Sequence, residues 1–284
     1  MSEFERLRPL GRRQSGCCSF ADSPGFPCGG LGETTEPAMS EGTDKSADPP
    51  VPEDLRADVE ICRSYVQKAA ARGGRLHVSA DGLYQRRIKR ALDCALGSLL
   101  ALLAAPFIYA AWAAVRLTSR GPGFFSQDRV GLDGKTIRVY KLRSMYIDHD
   151  KRVDIKEIEE YQAGGMLYKT ENDPRITPVG RFIRKTSIDE LPQLWNVVKG
   201  DMGLVGPRPL MPHMVAPFPE INALRCQVRP GITGEWQIKA RSDNRSLAGM
   251  VKYDLNYVEN YSFAMDAWIL LMTFPTVLNT KGAH

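Results

Sequence analysis

Two short segments carry residues fit for chemistry. Ser187-Ile188-Asp189-Glu190-Leu191-Pro192 sets two adjacent carboxylates ahead of Gly206-Pro207-Arg208-Pro209, where a guanidinium sits between prolines. Carboxylates near a rigidly held cation suit phosphate chemistry. They can hold a divalent metal or attack phosphorus, and the arginine can take developing charge. A plainer reading stands beside it: Ser-x-x-Glu before an apolar run is a capping box, and acids in a first helical turn favour the macrodipole. Pro192 counts against capping alone, because with Ser187 as N-cap it lies too deep for a residue without an N–H.

The elements around these segments follow from local pattern. Phe124 to Val130 is a candidate strand, Gly131-Leu132-Asp133-Gly134 a turn, and Thr136 to Met145 a second strand with Lys141 and Arg143 on one face. Pro178 to Lys185 reads as a short helix bearing Arg181, Arg184 and Lys185, and Leu191 to Val198 as another. Residues 151–163 form a charged helical stretch and Met202 to Val205 a short apolar strand. Arg229 to Gly234 is a turn. Leu247 to Tyr261 is helical with Asp254 and Tyr257 one turn apart. Ala267 to Leu278 is an uncharged helix, core or interfacial.

Upstream, Ala95 to Val115 holds no charged residue for 21 positions, enough to cross a bilayer. Basic residues flank both ends: Arg86, Arg87, Lys89 and Arg90 before, Arg116 and Arg120 after. Pro106 near the middle favours a helix that enters, breaks and returns, with both basic ends on one side. A kinked span and a buried soluble helix are the alternatives.

Residues 1–52 lack hydrophobic periodicity and are expected to be a disordered tail. Within them Met1-Ser2-Glu3 recurs as Met39-Ser40-Glu41, so Met39 is a second candidate start, and no secretory signal pattern begins the chain. Residues 53–83 are expected to form a helical extension and linker, with Leu55, Val59, Cys62 and Val66 at helical spacing and Gly73-Gly74 as the stop. Charge is uneven. Residues 1–60 carry 6 Lys+Arg and 12 Asp+Glu, against +5 for the whole chain, so the remainder is strongly basic and suits phosphate-rich partners. The six cysteines form no Cys-x-x-Cys pair, which argues against a structural zinc or a disulfide framework and fits a reducing compartment.

Taken together the motifs resemble those of the bacterial sugar transferases, the monotopic polyprenyl-phosphate phosphoglycosyl transferases. The likeness runs from Tyr84 to the C-terminus. It is carried by Lys89-Arg90, Gly121-Pro122, Phe124-Phe125 with Gln127 and Arg129-Val130-Gly131, Tyr140 through Met145, Asp173-Pro174-Arg175, Thr177 through Asn196, Lys199 through Met202, Gly206 through Pro209, and Pro230 through Gly234. The resemblance implies an α/β fold: a re-entrant membrane helix over 84–118 and a small mixed α/β catalytic domain over 119–284 with interfacial amphipathic helices. It implies transfer of a sugar-1-phosphate from a UDP-sugar to undecaprenyl phosphate on the cytoplasmic face of the bacterial inner membrane, with Mg²⁺, to initiate exopolysaccharide, O-antigen, capsule or glycan assembly. Inner-membrane lipid and downstream glycosyltransferases are the implied partners. Asp189 would be the nucleophile and Glu190 its partner, both near the metal. Arg208, Arg184, Lys141, Arg143, Arg175, Arg241 and Asp254 are the candidate substrate-binding residues.

Three departures are visible: Ala105-Pro106 where the family often has Ser-Pro, Glu235 in place of an apolar residue, and Lys239-Ala240-Arg241 in place of Ser-Gly-Arg. The last two bear on sugar choice. The multi-span relatives carry membrane helices before this domain, so the chain resembles the small form with a soluble N-terminal extension. Competing readings are a metal-dependent glycosyltransferase releasing UDP, suggested by Asp148-His149-Asp150, and an inactive membrane adaptor. No interleaved basic-aromatic pattern points to nucleic acid.

Overall fold

A computed structural model describes residues 53–76, 82–148, 151–153, 158, 173–240 and 246–278. The expected N-terminal tail, most of the charged stretch at 151–163, and His149, Asp150 and Arg241 lie outside the described residues.

Helix α1 (Glu53–Ala71) ends at Gly73 and Gly74, both at positive φ. It presents Cys62 and Ala69 to the main core, which they join with Leu76. A π-helical turn at Tyr84–Ile88 leads into α2 (Lys89–Thr118). A re-entrant break was expected at Ala105-Pro106. The helix instead runs through Pro106 without ending. Losing one backbone donor does not stop a helix whose flanking turns are long and apolar.

Only 6% of the apolar window of α2 is buried, and its mean hydropathy is 2.0. What is buried is organised. Lys89, Asp93 and Gly97 share one face by fours near the start, and Ala111 and Val115 share one near the end. Gly97 lies against Val197, where a Cβ would come within 2.9 Å of Cγ1. Ala111 and Val115 form a second cluster with Leu142 and Ile183. Both ends of α2 therefore pack on the same globular part.

That part begins with an antiparallel hairpin, β1 (Phe124–Val130) and β2 (Thr136–Leu142), with Phe125 opposite Lys141 and Arg129 opposite Ile137. The turn between them places Asp133 at φ 54. β2 is shorter than expected. Its line resumes only as a single bridge from Met145 to Ile176. Helix α3 (Pro178–Lys185) has Pro178 in its first turn and is capped by Thr177, whose Oγ1 accepts from Gly180 N at 2.8 Å. A 3-10 segment, Ile188–Gln193, precedes α4 (Leu194–Lys199). The α-helix expected to start at Leu191 is thus 3-10 as far as Gln193.

Strand β3 (Gly203–Val205) pairs in parallel with β4 (Gly231–Thr233), a strand where the sequence pattern suggests a turn. Gly231 permits this approach, since a Cβ there would lie 2.1 Å from Gly206 N. Short helices α5 (Pro212–Val215), α6 (Pro219–Arg225) and α7 (Glu235–Lys239) follow, then α8 (Leu247–Asn260) and α9 (Phe263–Leu278). The main core gathers Val197, Val205, Leu224, Leu255 and Val258 with the α1 residues. Each such aliphatic side chain contributes about 1.5–3 kcal/mol on burial.

Candidate active site

The acidic pair is set by a reversal of the chain. Ser187 ends the α3 turn in the left-handed region, at φ 57 and ψ 16. A non-glycine residue there costs on the order of 1 kcal/mol, and such strain gathers at functional sites. Ser187 N donates to Arg184 O at 3.0 Å and Glu190 N to Ser187 O at 3.2 Å, so Asp189 and Glu190 fall in one tight turn. No side-chain cap is made by Ser187, and the Glu190 carboxylate turns outward to cations. The capping box is not formed.

Glu190 Oε1 accepts from Lys141 Nζ at 2.8 Å and lies 3.6 Å from Arg208 Nη2. Asp189 is buried at 8% exposure. Arg184 is its electrostatic neighbour: burial pushes that guanidinium below its usual range, and Asp189 is the chief opposing influence. Arg184 Nε donates to Ser144 Oγ at 2.8 Å. The hairpin and the acidic turn are locked together by Asn196, which is fully buried. Its Nδ2 donates to Arg138 O at 2.7 Å and its Oδ1 accepts from Tyr140 N at 3.2 Å, so one amide satisfies the edge of β2 beside Lys141.

Arg208 stands 5.7 Å above the Trp236 ring, within cation–π range. Its loop is held at four successive carbonyls. Pro207 O accepts from Gly231 N at 3.0 Å, Arg208 O from Arg225 Nη2 at 2.6 Å, Pro209 O from Arg129 Nη1 at 3.3 Å, and Leu210 O from Val130 N at 2.9 Å. Arg129 belongs to the family pattern, but sequence reasoning gives it no role. It sits near both Arg208 and Glu190. Burial and the Arg208 charge press its pKa down to about 10, against the pull of Glu190. The signal available was its alternation with Gln127 along β1; Gln127 Oε1 accepts from Arg129 Nη2 at 2.5 Å.

Lys141, Arg184 and Arg208 therefore meet Asp189 and Glu190. Among the described residues, the other candidates make their contacts with different partners. Arg143 reaches back to α2: Nη1 donates to Arg120 O, and Nη2 to Ser119 O at 3.0 Å and Oγ at 2.9 Å. Lys141 and Arg143, two residues apart, thus turn to different partners. Arg175 forks onto Asp173, with Nη2 at 2.6 Å from Oδ2 and Nε at 2.9 Å from Oδ1. Asp254, 1% exposed, pairs with Arg225 at 2.7 Å. Asp148 of the Asp-x-Asp tripeptide faces Arg152 at 3.4 Å on an exposed turn.

Around two carboxylates stand four cations, a net positive site that suits a diphosphate. Among the described residues no three His, Cys, Asp or Glu side chains converge as a protein-only metal cage. Mg²⁺ does not need one: it keeps waters and is commonly held by one or two carboxylates with substrate phosphates. Asp189 and Glu190, adjacent on one turn, fit that donor set.

The comparisons with known proteins agree in direction. The bacterial sugar transferase family model matches residues 84–280. The chain is 44% identical over 164 residues to the galactosyl transferase CpsE of Streptococcus agalactiae, covering 57% of this chain and 36% of that protein. It is 40% identical over 209 residues to the UDP-glucose:undecaprenyl-phosphate glucose-1-phosphate transferase of Escherichia coli, covering 70% and 42%. It is 35% identical over 202 residues to the exopolysaccharide production protein ExoY of Rhizobium meliloti, covering 69% and 88%. The chain thus spans less than half the length of the first two and most of the third. With more than half of its residues inside the family model, the chain belongs to the bacterial sugar transferase family.

Proposed function

We propose that this chain moves a sugar-1-phosphate from a UDP-sugar to undecaprenyl phosphate and releases UMP. The observation that carries the reading is the buried Asp189 beside Glu190, with Lys141, Arg184 and Arg208 turned onto the pair. An Asp189 carboxylate oxygen attacks the β-phosphorus. The bond from that phosphorus to the bridging oxygen breaks, and the electron pair leaves on UMP. A phosphate oxygen of the lipid then attacks the aspartyl-phosphosugar at phosphorus and restores the carboxylate. Splitting one displacement into two is nucleophilic catalysis. Arg208, fixed at its own carbonyl and both neighbours', stabilises charge on the transferring phosphoryl group without reorganising. Lys141 pairs with Glu190 and fixes the direction of its carboxylate. Asp189 and Glu190 would hold Mg²⁺, which would supply charge neutralisation between the reacting anions.

Helix α2 supports a membrane placement. Its ends pack on one globular part, through Asp93 and Gly97 at one end and Val115 at the other, while Leu102 and Phe107 between them stay 72% and 63% exposed. That arrangement supports a helix that stays helical through Pro106 but bends there, dipping into the bilayer and returning, over one that leaves on the far side. Exposed Phe182, Trp195, Phe263 and Phe274 on α3, α4 and α9 suit the interface of the same leaflet, on the cytoplasmic side of the inner membrane where UDP-sugars are found.

The test is UMP release from UDP-glucose or UDP-galactose. UDP-sugar alone should yield UMP up to one equivalent of enzyme and label Asp189, with turnover on adding undecaprenyl phosphate. Asp189→Asn should keep fold and membrane binding and lose both. Strictly lipid-dependent UMP release with no labelled protein would point to direct transfer, and release of UDP to a glycosyltransferase.

A further inference from the structure

Arg208 lies between Pro207 and Pro209, neither of which has a backbone N–H. The Arg208 N–H is therefore the single backbone donor of that tripeptide, and it is taken by Asp254. The carbonyl of the same residue is taken by Arg225 Nη2 at 2.6 Å. Arg225 and Asp254 are themselves joined, Nε and Nη2 to Oδ2 at 3.0 and 2.7 Å, with side chains 4% and 1% exposed. One buried ion pair thus grips both polar groups of one residue.

Such a pair is an expensive way to fill space. Apolar residues of similar volume often serve stability as well or better. What they could not do is accept from the Arg208 N–H and donate to its carbonyl together. The guanidinium is suited to this because its planar fork serves a carboxylate and a carbonyl at once, which an ammonium does not do in fixed directions. Arg225 arrives from α6, outside every motif quoted above. Asp254 arrives from α8.

We infer that the Arg225–Asp254 pair is a positioning device for Arg208: it sets the direction from which that guanidinium meets the transferring phosphate. The inference rests on the reading of Arg208 as the phosphate clamp. Neither member of the pair touches substrate. Asp254, expected from sequence to bind substrate, acts through the Arg208 backbone.

The experiment is a double-mutant cycle on the full chain in lipid nanodiscs. Arg225→Lys keeps the charge beside Asp254 and loses the fork. A clamp displaced by about an ångström costs on the order of 100-fold in rate. Arg225→Lys should therefore lower kcat for UMP release by about 10- to 100-fold with little change in KM for the UDP-sugar. In an Arg208→Ala background the same substitution should change kcat by less than about twofold, because the residue it acts through is gone. Equal losses in both backgrounds overturn the inference. Hydrogen exchange without substrate gives a second reading that does not depend on turnover. In Arg225→Lys the peptide spanning 206–210 should exchange faster while α8 keeps wild-type protection. Unchanged loop protection, or loss of protection across α8 as well, also overturns it. Wild-type protein that releases no UMP from any UDP-sugar sinks the proposed reaction, and the exchange result then decides alone whether the pair holds the Arg208 loop.

Discussion

Gly180→Ala should disable the site from a distance. Gly180 is the third residue of α3, and a Cβ built there would lie 1.9 Å from the carbonyl oxygen of Ser144 and 2.7 Å from its carbon. Carbon and oxygen approach to about 3.3 Å at closest, so the helix must move about 1.4 Å from the Ser144 backbone. Backbone stands on both sides of the clash, and no side chain can rotate to relieve it. The move strains the bond from Thr177 N to Ser144 O, now 3.0 Å, and pulls Arg184 Nε from Ser144 Oγ, now 2.8 Å. Asp189 follows, because the turn that carries it starts from Arg184 O. Overpacking of this kind costs about 1–3 kcal/mol in stability. The kinetic cost is larger: a misplacement near 1 Å lowers rate on the order of 100-fold. The assay is kcat for UMP release with a thermal melt on the same preparation. Ser144→Ala is the comparison, since it removes the Arg184 contact and leaves the backbone in place, and it should lose about tenfold or less. Gly180→Ala within twofold of wild type would show that Arg184 and the acidic turn do not depend on the docking of α3, and the account of the site would fail.

Two further outcomes are expected. Burial raises the Asp173 carboxyl, but the hydrogen bonds and charge of Arg175 outweigh it and hold it below the usual carboxylate range. Its stabilisation is present above an unfolded pKa of about 3.9 and is lost as pH falls through the lower folded value, so Asp173→Asn should cost about 3 kcal/mol at pH 7 with the deficit closing in strong acid. A deficit that stays constant down to pH 2 excludes the ion pair as its source. For topology, unique cysteines at Ser79 and Gly131 should both resist an impermeant periplasmic thiol reagent; labelling at Ser79 alone would mean that α2 crosses the bilayer.

What was legible in the sequence is what short-range pattern controls. The hairpin was readable because Gly131 through Gly134 punctuate two runs of period two, and α3 because Thr177 and Pro178 announce a helix start. The Asp189, Glu190 and Arg208 grouping was readable because both segments hold prolines and charge. Strand β4 was not: three residues carry no periodicity, and what makes them a strand is a parallel partner 28 positions earlier in the chain. Arg225 was invisible for a similar reason, since its partners Arg208 and Asp254 are 17 and 29 residues away. Arg143 and Arg175 have contacts that the sequence pattern did not suggest. Their charge suggested substrate, while their hydrogen bonds go to the exit of α2 and to Asp173.

The departures at 235 and 239 make the same point about charge inside a fold. In sequence, Glu235 and Lys239 look like two separate changes that bear on sugar choice. In the fold they are one change. Glu235 is 2% exposed, a carboxylate that needs partners to be buried at all. Lys239 Nζ supplies one at 2.6 Å and Asn256 Nδ2 the other at 2.7 Å, one for each oxygen. Asn256 in turn accepts from Tyr65 of α1 at 3.5 Å. The residue following Glu235 is Trp236, whose ring lies beneath Arg208. Restoring an apolar residue at 235 alone would strip Lys239 and Asn256 of their acceptor. A swap meant to alter sugar choice must therefore change 235, 239 and 256 together, or its effect on stability will be read as an effect on substrate.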